Sequence, residues 1–187
     1  MSLQALPILT VKDLDFMPDD DNRYELIGGE ILVSRAPHYN HQLITTNLTG
    51  AFFNYLKDNP IGKFMPTVGI IFSEFEAAIP DIVFLTNESF AKISDPDGKF
   101  YGAPDLAIEI LSPGKENIRR DRILKLNTYS KFGVKEYWII DLLMLHIEIY
   151  RLTENVLVQV EKLRMEDTIT SPLLPDFSLK VSEIFMY

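Results

Sequence analysis

The placement of apolar residues along the chain divides it into segments of different period. In residues 23–34, RYELIGGEILVS, Tyr24 and Leu26 alternate on one arm and Ile31 and Val33 on the other. Gly28-Gly29 between them supplies the positive φ angles of a tight turn, so the segment predicts a β-hairpin. Over 39–57 the apolar residues Ile44, Leu48, Ala51, Phe52 and Tyr55 recur at three- and four-residue spacing, which predicts a helix. Asn59-Pro60 and Gly62 end it. Three strands follow, at 66–73, 79–86 and 105–111. The last two are nearly continuous apolar runs, as in central strands buried on both faces. Residues 87–102 carry no period and read as a surface loop, long enough to be functional or mobile. A second helix is expected over 116–132, with Ile123, Leu126 and Tyr129 on one side and Gly133 just past its end. EYWIID (136–141) and LHIEIYRL (145–152) read as two strands joined by a short turn. A further strand at 155–163 and a short segment ending in FSLKVSEIF complete the chain. Helices interrupting a mostly β chain predict a mixed α/β or α+β fold. No repeat, low-complexity tract or composition shift marks a boundary, so one domain over 1–187 is expected, with 1–22 as an N-terminal extension.

Composition supports that picture and narrows the chemistry. With 187 residues, 47% apolar and 24% charged, the chain is long enough for a sizeable core. It has no cysteine, which excludes disulfides, thiolate metal sites and cysteine nucleophiles, and suits a reducing compartment. The start, MSLQALPILTVKDLDF, has neither the basic residues nor the apolar run of a signal peptide. No apolar stretch reaches the roughly 18 residues of a membrane span. A soluble, cytoplasmic protein is the expectation, with no membrane partner. The net charge of −9 argues against a protein that coats nucleic acid by neutralising phosphates. Between Lys115 and Lys135, however, seven basic residues face two acids. Lys115, Arg119, Arg120 and Arg122 are therefore candidate phosphate contacts, with a solvated helix face as the competing reading.

The residue that most needs a reason is Glu109, set among aliphatic residues in LAIEIL. An ionised carboxylate in a buried strand is unfavourable unless something positive compensates it; the alternative is an edge strand with Glu109 facing water. Asp105 shares its side of the strand but lies roughly 13 Å away, too far to share a metal. A second carboxylate must come from a neighbouring strand, and Asp81, opening the run IVFL, is the candidate; a plain Pro-Asp turn is the competing reading. Two carboxylates on adjacent strands make a hard oxygen site suited to Mg²⁺ or Mn²⁺ rather than Zn²⁺. A metal there can activate water and stabilise charge on a scissile phosphate. Lys125, on the following helix, shares a face with Asp121 and Tyr129 at i, i+4 and i+8; simple solvent exposure is its alternative. His38 and His41 lack a third ligand of their kind, so no zinc site is expected. His146 reads as structural. Ser112, in LSPG, lacks the flanking glycines of a nucleophile elbow, and no phosphate-binding glycine loop or dinucleotide fingerprint is present.

The stretches YELIGGEILVS, IPDIVFL, GAPDLAIEILSP, DRILKLNTYSKFGVKEYWIID and LLPDFSLKVSEIF, in this order from about residue 23 to 186, resemble the Uma family of the PD-(D/E)xK superfamily. The resemblance implies a restriction-endonuclease-like core, a central mixed β-sheet flanked by helices, and a divalent metal. It makes Asp81 and Glu109 the acidic ligands. The residue two after Glu109 is Leu111 rather than lysine, and the resemblance places the lysine on the following helix as Lys125, with Lys115 as the fallback. Glu25, in YELIGGE, matches a family position as an accessory ligand or a holder of the lysine, an exposed hairpin acid being the alternative. His41 is expected to line the cleft. The expected function is Mg²⁺- or Mn²⁺-dependent cleavage of duplex DNA, most readily by a homodimer. The alternatives are an inactive nucleic-acid- or protein-binding descendant of the fold and a phosphodiesterase acting on small nucleotides.

Overall fold

The computed structural model describes residues 8–186. The first seven residues, where the leader-peptide reading and part of the N-terminal extension fall, lie outside the described residues. A 3₁₀ turn at Val11–Phe16 comes first. The predicted hairpin follows as β1 (Arg23–Ile27) and β2 (Glu30–Ser34), with Gly28 and Gly29 both at positive φ. Helix α1 (Tyr39–Asp58) buries Ile44, Leu48 and Phe52 along one stripe and is capped by His38, whose Nδ1 accepts from the Asn40 amide.

The stretch expected as one strand at 66–73 is two. β3 (Gly62–Pro66) and β4 (Ile70–Ser73) belong to different sheets. The chain turns between them with Thr67 at a φ of 52°, a left-handed residue that an apolar pattern does not announce. The short β5 (Glu76–Ala78) and β6 (Ile82–Thr86) follow. The expected loop at 87–102 holds α2 (Asn87–Ile93) and the two-residue β7 (Phe100–Tyr101). Thr86 starts that helix by accepting from the Ser89 amide, a capping signal masked by the apolar run before it. β8 (Leu106–Leu111) then leads into α3 (Lys115–Arg119), a π-helical turn (Arg120–Lys125) and α4 (Leu126–Phe132), which Gly133 closes in the left-handed conformation. Ile123, expected on the core side, is exposed; the wider π turn carries Asp121 and Lys125 inward instead. β9 (Glu136–Asp141), β10 (His146–Thr153) and β11 (Val156–Leu163) form the expected meander. β12 (Thr168–Ser171), β13 (Leu174–Lys180) and α5 (Val181–Ile184) end the chain.

The central sheet is mixed, with strand order β11-β10-β9-β8-β6-β3; only β8 and β9 run parallel. A second sheet has the order β2-β1-β5-β4-β7. Alternation sorts the central strands between two cores. Leu106, Ile108 and Ile110 of β8 and Trp138 and Ile140 of β9 pack with Ile44, Leu48 and Phe52 of α1. Ala107, Leu111, Tyr137 and Ile139 pack on the opposite face with Tyr129 of α4 and with Ile27 and Ala78 of the second sheet. Glu109 has the parity of Ala107 and Leu111, so it points into this second interface. Among the described residues no helix is long and apolar enough to cross a membrane.

Candidate active site

β6 and β8 are antiparallel neighbours in which Ile82 faces Ile108 and Val83 faces Ala107. One step further in that register puts Asp81 opposite Glu109, and paired residues of antiparallel strands point to the same face. The Ile110 amide donates to Asp81 Oδ2 at 2.8 Å, which ties the aspartate to the edge of β8. The two carboxylates thus meet where β6 begins and β8 ends, at the rim of the sheet.

Lys125 reaches them from the π-helical turn. Its Nζ lies 2.9 Å from Glu109 Oε1, 2.9 Å from Glu25 Oε1 and 4.0 Å from Asp121 Oδ1. Tyr129, one turn on, donates its hydroxyl to Glu109 Oε1 at 2.7 Å. Glu25 is fixed in turn by the Ile79 amide at 2.6 Å. Arg120 grips Asp121 with two bonds, Nε to Oδ1 at 2.7 Å and a terminal nitrogen to Oδ2 at 3.0 Å. His41 Nε2 lies 3.0 Å from Asp81 Oδ2, while its buried Nδ1 has no partner among the described residues. The inferred core acids, lysine and accessory residues Glu25, His41, Asp121 and Tyr129 therefore converge. Only 1% of Lys125 and 2% of Glu109 is exposed, which disposes of their solvent-facing readings; Asp81, 8% exposed, lies in the bend that leads into β6, as a Pro-Asp turn would place it.

Acids outnumber bases in this cluster, and the protonation equilibria show it. Burial pushes Glu109 up to about 8, with Asp81, Asp121 and Glu25 adding to the rise against the opposing pull of Lys125. Burial alone would lower Lys125, but the Glu109, Glu25 and Asp121 carboxylates hold it well above its ordinary range, so it stays charged. Burial would also raise Asp81; its bond to and the charge of His41, the Ile110 amide and Lys125 bring it below the ordinary value instead.

These donors fit a hard divalent cation. Both bonds to Glu109 use Oε1, leaving Oε2 without a hydrogen bond among the described residues. Among the described residues Asp81 Oδ1 has only Arg23, at 3.7 Å. Among the described residues no three His, Asp or Glu side chains converge as a ready-made cage. Two carboxylates with room for waters is the ligand set on which Mg²⁺ ordinarily relies.

The cluster forms the floor of a cleft of about 410 Å³, whose walls include Arg23, Arg35, His38, Asn117 and Arg120. Arg23 escaped the sequence reading. Its signal was parity with Glu25, two residues along the same strand. Of the expected phosphate contacts, Arg120 borders the cleft, whereas Lys115 is exposed outside it. Arg119 lies 3.7 Å from Glu30, and Arg122 bonds Asp141 at 2.9 Å and Glu148 at 3.1 Å. His146 is structural, with Nε2 2.9 Å from Glu148.

Residues 11–182 match the family model Uma2, described as "Putative restriction endonuclease". No curated protein matches the chain. Among solved structures, the chain is similar to a "putative nuclease belonging to DUF820" from Anabaena variabilis. The TM-score is 0.77 at 19% identity, over 95% of this chain and 97% of that one. At this identity the likeness establishes a common fold. A weaker similarity, with a TM-score of 0.42 and 17% identity, covers 81% of this chain and 16% of the type IIG restriction endonuclease BpuSI.

Proposed function

This chain belongs to the Uma2 family, and from that premise we propose that it is a Mg²⁺- or Mn²⁺-dependent endonuclease that hydrolyses phosphodiester bonds in DNA. The observation that carries the reading is the meeting of Asp81, Glu109 and Lys125, from three separate elements, on the floor of one cleft. A nuclease-fold relic with no metal chemistry to perform would have no reason to retain a buried cluster richer in acids than in bases.

Asp81 and Glu109 would hold the metal, which when bound supplies charge neutralisation and an acidified water. The protein's own groups do the positioning. Tyr129 and Lys125 both bond Glu109 Oε1 and so turn Oε2 toward the cleft. His41 and the Ile110 amide do the same for Asp81, occupying Oδ2 and leaving Oδ1. An ammonium has three donors. Two of those on Lys125 are engaged by Glu25 and Glu109, and Asp121 at 4.0 Å is beyond bonding range, so the third is available to orient a water or a phosphate oxygen. Glu25 acts through the lysine as a positioning residue.

Plasmid cleavage in Mn²⁺ tests the reading. Wild type should nick or linearise DNA, and Asp81→Ala, Glu109→Ala and Lys125→Ala should each lose at least roughly 10²-fold, the scale of a misplaced or missing catalytic group. Cleavage by the two acid variants at the wild-type rate sinks it. Calorimetric titration with Mn²⁺ separates an active carboxylate pair, which binds, from an inactive descendant, which does not. A second reading, hydrolysis of small nucleotide diesters, is favoured by the modest cleft volume, and turnover of a chromogenic diester by wild type but not by Asp81→Ala would support it.

A further inference from the structure

Resting on the nuclease reading above, we infer that the substrate is an unpaired DNA strand, such as a flap, bubble or frayed end, in place of the intact duplex that the sequence suggests. Three independent observations point there.

The first is access. The cleft offers a space of only about 410 Å³. The acids and lysine on its floor are almost wholly covered, with 1% to 8% exposure. A single backbone threaded into such a cleft brings a phosphate to the floor, whereas a duplex rests on the rim.

The second is an exposed aromatic next to a residue of the cleft wall. Tyr39, the first residue of α1, is 67% exposed and packs on the ring of His38, with centroids 4.1 Å apart. His38 itself lines the cleft. An exposed aromatic beside a cleft has a π-face to offer a base, and only an unstacked base can take it.

The third is charge. Duplex binding without sequence readout relies on many free cations along an extended face. Here most of the basic run is engaged internally: Arg119 with Glu30, Arg120 with Asp121, Arg122 with Asp141 and Glu148, Lys131 with Glu76, and Lys135 with Asp105. At the cleft wall Arg35 pairs with no acid among the described residues and Arg23 has Asp81 at 3.7 Å, which suits a short stretch of one backbone and is far from a duplex footprint.

The test compares a labelled single strand with a blunt duplex of the same sequence, using the full chain in Mn²⁺ for cleavage and in metal-free buffer for binding. The single strand should be cut at least tenfold faster and bound more tightly. Tyr39→Ala, a change at an exposed position that does not threaten the fold, should weaken single-strand binding by about tenfold, the lower range of one lost base stack, and leave duplex binding unchanged. Faster cutting of the duplex overturns the inference and leaves the nuclease reading intact. Cutting of neither overturns the nuclease reading. The strand preference is then decided by binding, and equal or tighter binding to duplex, or an inert Tyr39→Ala, overturns it too.

Discussion

Glu109 sits in a run of aliphatic residues because that strand belongs to the centre of the sheet, and the acid is tolerated there because Lys125 and Tyr129 reach it. The compensation is incomplete, since Lys125 is shared with Glu25 and Asp121. The carboxyl therefore binds a proton more tightly in the folded state than in the unfolded chain. Stability from such a group is fully present below its unfolded value and is lost as the pH rises through the folded one. For Glu109 that window runs from about 4.5 to about 8. Metal-free wild type should lose thermal stability across it, as followed by melting curves at stepped pH. Glu109→Gln should flatten the decline, and saturating Mn²⁺ should flatten it in wild type by supplying the missing positive charge. An equally steep decline in Glu109→Gln would show that another group governs it. Asp81, held below its ordinary value, acts in the opposite sense and at lower pH, outside this window.

At the scale of elements, the π-helical turn deserves comparison with the straight helix that the apolar spacing suggests. A π turn holds more residues per revolution than an α turn and often marks a functional site. Here it lets Asp121 and Lys125 face inward together while Ile123 goes out to solvent, 53% exposed. Tyr137 braces it from β9 by donating its hydroxyl to the Asp121 carbonyl at 2.9 Å. Deleting Ile123 would restore an α turn and rotate the preceding residues by roughly 100°. Asp121 and Arg120 would then leave the cluster. The expected result is an unchanged far-UV circular dichroism spectrum with cleavage reduced by roughly 10²-fold, since Lys125 would lose the Asp121–Arg120 pair beside it and a misplacement of about an ångström has that effect. Full activity in the deletion variant would make the π turn a packing accident. The strand pairs tell the same story from the other side: the hairpin turn at Gly28-Gly29 sets β1 in register, and that register aims both Arg23 and Glu25 at the cleft.

Over the whole molecule, net charge and local charge point in different directions, and ion pairing explains why. The chain carries −9 overall, and the basic run between Lys115 and Lys135 is spent largely on neighbouring acids. Of the cations that line the cleft, Arg120 is held by two bonds to Asp121, so nucleic-acid affinity should come from Arg23, Arg35 and Lys125. Each phosphate contact on a single strand contributes a slope of about −0.7 to the logarithmic salt dependence of binding, so three give about −2. Fluorescence anisotropy over a salt series measures it. A slope several times steeper would mean that the helix face also binds, and that its ion pairs open to do so.

The sequence by itself determined the local order: the hairpin, the long helix, the central strands, the closing meander, and the side of each strand on which each residue lies. Those are properties of nearest neighbours, and periods of two and of three to four residues record them directly. It also singled out Glu109, because an acid in an aliphatic strand is anomalous wherever that strand is placed. Splitting 66–73 between two sheets, folding α2 out of an apparent loop and turning Ile123 outward were decisions of the tertiary structure. A single left-handed residue, a side-chain cap and a widened helical turn leave no periodic trace. Tertiary structure also decided the identity of the partners. Glu25 and Lys125 lie far apart in the chain and touch only because the second sheet packs over the helix that follows β8. A local pattern states which face is inward, whereas only the packing of distant faces states which buried charge meets which.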